Sequence, residues 1–142
     1  MLSFLGPRRL IRLKQMNEAE REAGLAVTPG YRYAEKVGTQ LFVAGQVPHN
    51  ADGRLIGADD PYAQSHQCLD NLLKLLAVYD YSVADIRRLV VYVVGPHTNL
   101  TQAWTAVTEK FNDGVPPATL LGVTTLGHEG QLVEIDATVI KL

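Results

Sequence analysis

Asp60 to Val94, DPYAQSHQCLDNLLKLLAVYDYSVADIRRLVVYVV, places a helix and a strand back to back, and the fold is decided by how this stretch is read. Asp60 is a residue type that caps helix N-termini, and Pro61 suits the first helical position, where its missing N–H costs nothing. Leu69, Leu72, Leu73, Leu76 and Tyr79 recur at helical spacing as one apolar stripe, with Asp70, Asn71 and Lys74 off it. Ile86 to Val94 is β-branched and apolar, so a strand follows. Working outward, Tyr31–Val37 and Leu41–Val47 read as a hairpin about the Gly38-Thr39 turn, and Asn50-Ala51-Asp52-Gly53 as a loop. Downstream, Asn99 and Gln102 stand at capping-box spacing before a second helix whose buried face is Leu100, Trp104, Val107 and Phe111. Strands near Thr119–Leu126 and Gln131–Leu142, joined by Gly127-His128-Glu129-Gly130, make a terminal hairpin. Upstream, Arg8–Lys14 reads as a short strand and Asn17–Pro29 as an irregular connection.

The order of strands, helix, strand, helix, strands predicts an α+β fold with two helices on one sheet face. Leu89–Val94 and Leu41–Ala44 are apolar on both faces, as strands are when both sides are covered. Two helices cover only one side, so a second copy of the chain is expected on the other. In the last strand Val133, Ile135, Ala137 and Val139 alternate with Glu134, Asp136 and Thr138, putting two carboxylates on the face away from the core. Solvated or ion-paired strand residues account for that pattern, and so does a ligand cleft at a subunit interface.

With 142 residues, 46% hydrophobic and 20% charged, the chain has the size and composition of one domain, 1–142, whose first 30 residues lead into it. Its one cysteine, Cys68, forms no internal disulfide and lies in the helical pattern, which points to a reducing, cytoplasmic setting. A formal net charge of −2 supplies no general attraction to nucleic acid or anionic membranes. Gly6, Pro7, Arg8 and Arg9 interrupt any secretion signal, and no apolar run reaches membrane-spanning length, so a soluble protein is expected. His49, His66, His97 and His128 show no metal-ligand spacing, and no metal is expected. Arg8, Arg9, Arg12 and Lys14 fit a charged edge strand that resists aggregation.

From Tyr31 onward the chain resembles the Rid/YjgF family, the reactive-intermediate deaminases also described as L-PSP-like endoribonucleases. Tyr31-Arg32-Tyr33-Ala34 matches a Tyr-Ser-Gln-Ala segment, and Leu41-Phe42-Val43-Ala44-Gly45-Gln46-Val47-Pro48 a Phe-Val-Ser-Gly-Gln-Ile-Pro block. Gln64, Leu69, Asn71 and Leu72 fit the first-helix pattern, Pro117-Ala118 a Pro-Ala-Arg turn, and Val133-Glu134-Ile135-Asp136-Ala137 a Glu-Ile-Glu-Ala strand. The resemblance implies a chorismate-mutase-like fold, a homotrimer with sheets inward, and three clefts between subunits. It also implies cofactor-free hydrolysis of enamines and imines to a 2-oxo acid and ammonia. Glu134 then holds the attacking water, Tyr31 lines the pocket, and main-chain groups near Gly45 and Leu121 complete it.

An imine carbon is already electrophilic, so a positioned water and a proton path suffice, and a carboxylate supplies the first. Thr119 stands where the family has the arginine that grips a substrate carboxylate. A hydroxyl offers one neutral donor in place of a charged fork, so 2-aminoacrylate is not the expected substrate. Leu100 replaces a phenylalanine that many relatives place over the ligand, and the loops Phe111–Thr119 and Leu126–Glu134 each run one residue longer. A non-catalytic ligand-binding or regulatory trimer of the same fold is the alternative. A ribonuclease needs basic and acid–base groups together, and no such cluster is legible.

Overall fold

The computed structural model describes residues 18–142; the strand read at Arg8–Lys14 lies outside them. Five strands form one sheet: β1 (Ala34–Val37), β2 (Gln40–Val43), β3 (Ile86–Val94), β4 (Ala118–Val123) and β5 (Val133–Ile140). Two long helices, α1 (Pro61–Val78) and α2 (His97–Lys110), pack on each other and on one face of it. The spatial order is β1-β2-β5-β3-β4, with every neighbouring pair antiparallel except β3 and β4.

That order overturns the terminal hairpin. β4 runs parallel to β3 after the crossover through α2, and the chain then passes the end of β3 to enter β5 on its other side. Alternation along a strand specifies its faces but not its partner, and a nine-strand-residue core such as β3 takes partners on both edges. The first hairpin is shorter than read, Ala34–Val37 against Gln40–Val43, and Gly38 turns it at φ +60°. Residues 18–22 are helical where an irregular connection was expected.

Asp60 caps α1: its side chain accepts from the Ala63 N–H at 3.0 Å. The buried face of α1 is broader than the leucine stripe, with Cys68 and Leu75 inside it and Leu73 and Tyr79 at its margin. Asn71, read as off the stripe, is buried as well. α2 has no side-chain cap and starts at His97 after Pro96, because Gly95 at φ +112° has already turned the chain. Asn99 is therefore inside the first turn, and its amide donates back to the Val94 carbonyl at 2.9 Å in place of a capping box. Ala103, Ala106 and Val107 are the fully buried residues of α2, with Leu100, Trp104 and Phe111 partly buried beside them.

The core lies between helices and sheet: Leu89, Val91, Val93, Val133, Ile135 and Val139 point into it. The opposite sheet face carries Phe42, Val90, Tyr92, Glu134, Asp136 and, on β4, Thr119 and Leu121. Phe42 is 54% exposed there, an unusual position for a phenylalanine.

Candidate functional site

Glu134 stands opposite Tyr92 on β3, and Tyr92 stands beside Leu121 on β4, so the three form one row across the open face. Val90 sits one row further along, between Asp136 and Thr119. The chain leaving β2 runs on beside β5 to the Glu134 end of this face. Gln46 and Ile135 exchange main-chain hydrogen bonds of 2.7 and 3.1 Å, which brings the preceding residue, Gly45, onto Glu134. A Cβ at position 45 would overlap the Glu134 carboxylate, so glycine is what leaves room for it.

The loop beyond Gly45 is fastened from below. Asn71 of α1 donates to the carbonyls of Val47 and His49 at 2.9 and 2.8 Å, while its own oxygen accepts from Gln67. Gln131, also buried, clamps the other side: its amide nitrogen donates to the Val133 carbonyl at 3.0 Å and to Glu134 Oε1 at 3.3 Å. Its oxygen accepts the His128 N–H at 3.2 Å. One glutamine thus aims the carboxylate and closes the turn that precedes β5.

Tyr31 precedes β1 rather than lying in a strand. Burial, reinforced by the charge of Glu134, pushes its phenol above the usual tyrosine range, so it keeps its proton and its O–H is available to donate. Tyr31, Gly45, His49 and His128 border one narrow cleft, whose empty space totals about 380 Å³ including its open mouth. The strictly accessible part is about 30 Å³, room for one water.

Thr119 is not alone. The Arg88 guanidinium, two residues along β3 from Val90, donates to the Thr119 hydroxyl at 2.8 Å, so a cation does reach this position, from a neighbouring strand. Leu100 is held apart from the others within one chain. It packs over Gly122 on the covered side of β4, whereas Thr119 and Leu121 face the open side. Sequence reasoning missed Arg88, Gln131 and His49. The first two sit in ordinary strand and turn patterns, and the pairing of His49 with His128 joins residues far apart in the chain. Among the described residues, no group of three or more His, Cys, Asp and Glu side chains is placed to hold a metal ion.

Residues 22–141 match the family model for endoribonuclease L-PSP. The chain belongs to that family, the Rid/YjgF proteins. A RutC family protein of Pyrococcus horikoshii is 29% identical over 113 residues, covering 78% of this chain and 86% of that protein. Among solved structures, the YjgF gene product of E. coli superposes with a TM-score of 0.75 at 23% identity, covering 85% of this chain and 95% of that one. TdcF of E. coli, solved with bound serine, gives 0.70 at 18% identity, covering 87% and 95%. At these identities the two structures establish the shared fold, an α+β architecture with a mixed five-stranded sheet. Membership supports a Rid-type small-molecule function at the level of the family. No helix among the described residues is long and apolar enough to cross a membrane.

Proposed function

We propose that this chain hydrolyses an imine or enamine in clefts between the subunits of a homotrimer, with Glu134 holding the attacking water and Tyr31 donating a hydrogen bond to the substrate. The observation that carries this reading is the Glu134 carboxylate lodged against Gly45, aimed by buried Gln131 and bordered by a protonated phenol. A carboxylate so held orients water without rearranging during reaction. The apolar open face, with Phe42, Val90, Tyr92 and Leu121, supports a second subunit as its cover. That TdcF was solved with serine supports a ligand of amino-acid size.

The substrate is not 2-aminoacrylate. Thr119 supplies a hydroxyl one row from Glu134, roughly 7 Å along the strands, and the guanidinium of Arg88, rooted one row further on, reaches that hydroxyl at 2.8 Å. A substrate that meets the water at Glu134 and also uses this hydroxyl and cation is longer than a three-carbon 2-imino acid. The test is release of ammonia and oxo product from a panel of imines generated in situ. Turnover of a longer or neutral imine exceeding that of 2-iminopropionate, and a loss of at least about 10²-fold in Glu134→Gln, are the expected results. Efficient 2-iminopropionate hydrolysis by the wild type would overturn the substrate assignment.

A binding or regulatory trimer is the second reading, favoured by the absence of arginine at 119. Saturable metabolite binding with no ammonia release from any imine identifies it.

A further inference from the structure

Two histidines absent from the mechanism above meet at the same cleft. The rings of His49, in the loop after β2, and His128, in the turn before β5, stack edge to face with centroids 4.6 Å apart and planes at 71°. Each is pinned through its own main chain by a buried amide side chain, His49 by Asn71 and His128 by Gln131. The same Gln131 bonds Glu134, so one side chain sets both the carboxylate and the turn that carries the imidazole. Between the rings, Tyr31 and Gly45 lies the water-sized space.

We infer that the His49–His128 pair is the proton-transfer device of this site, with His128 exchanging protons with the substrate nitrogen and oxygen through one water in the cleft. The inference rests on the hydrolase reading. Hydrolysis of an imine demands two proton movements of opposite sense, one onto nitrogen and one off water, and separate groups perform them better than a single carboxylate. The His128 imidazolium gives its proton to the imine nitrogen. Water adds to the carbon as Glu134 takes a proton from it. Glu134 returns that proton to the nitrogen of the carbinolamine, the C–N bond breaks as the hydroxyl oxygen forms the carbonyl, and His128 recovers the hydroxyl proton. Ammonia and the oxo compound leave with both side chains as they began.

Two imidazolium rings this close repel, so the pair carries one proton comfortably. Burial, and then the charge of His128, hold His49 below the usual histidine value. The other titratable neighbours are Tyr31 and Tyr33, both raised by burial and so protonated throughout the neutral range, and Glu134 behind Gln131.

The experiment compares kcat against pH, from pH 5 to 9, for wild type, H128Q, H128A and H49Q on an imine the wild type hydrolyses, with the imidazole titrations followed by NMR. Expected are a fall in kcat of about 10²-fold in H128Q with KM within about twofold, loss of the limb in the histidine range, and partial rescue of H128A by free imidazole. H49Q is expected to displace the pH profile of kcat. A wild-type profile retained by both His128 variants overturns the inference and leaves the hydrolase reading intact. Absence of turnover of every imine by the wild type overturns both.

Discussion

A methyl group at residue 45 would stand where the Glu134 carboxylate now sits, so the smallest residue of the candidate site governs where the proposed water-holding group lies. Gly45→Ala is expected to lower kcat at least about tenfold through misplacement of Glu134, while the thermal midpoint moves little because the loop remains tied by Gln46 and Asn71. Parallel kinetic and melting measurements check both halves. At Thr119 the expectation is a gain: Thr119→Arg restores a charged fork beside the Glu134 row and should tighten binding of a short 2-oxo acid about tenfold or more, read by calorimetry. Arg88→Gln should instead weaken binding of longer carboxylates. Glu134, Gly45 and Thr119 were legible in the sequence because each stands within a local motif. Arg88 was not, since its contact with Thr119 spans 31 positions and exists only once β3 and β4 pair.

Gln64 on α1 does for the elements what Gln131 does for the site. Fully buried, it donates to the carbonyls of Gly57 and Gly130 at 3.0 and 3.1 Å and accepts from the N–H groups of Leu132 and Val133 at 2.7 and 3.3 Å. The helix, the loop before it and the start of β5 are joined by one side chain whose hydrogen-bonding capacity is used in full. Gln64→Leu strands these main-chain groups and should cost about 2–4 kcal/mol, measurable by denaturant unfolding. The sequence placed Gln64 in the helix, but a polar residue at helical spacing looks the same whether it meets water or a neighbouring turn. The start of helix α1 and both limits of strand β3 were read as observed because cap, proline and apolar run are local signals. The terminal hairpin failed for the opposite reason: which strand lies beside which depends on the whole path of the chain.

At the scale of the whole molecule, Phe42 and Val37 stand 54% and 56% exposed on the face without helices. With the homotrimer proposed above, Phe42→Glu is expected to give monomers in sedimentation, with β2 still paired on both sides. Glu20 gives the molecule a pH response. It is buried against Tyr79 at the end of α1, one carboxylate oxygen has no hydrogen-bond partner among the described residues, and burial raises its proton affinity against the opposing effect of the Tyr79 hydrogen bond. A raised folded value means that its stabilising effect is full below the ordinary carboxylate range and is lost as pH rises through the raised value. Glu20→Gln should therefore melt close to wild type at pH 3 and above it at pH 7. By itself the sequence determined the class of fold and the helix and strand that build the core, and its short motifs singled out Gly45 and Glu134 as candidates, because periodicity, capping and short motifs act over a few neighbouring residues. Only the tertiary structure decided that β3 lies between β4 and β5, that Arg88 reaches Thr119, and that His49 meets His128 beside Gln131. These contacts join segments whose separation along the chain carries no signal until the sheet is assembled.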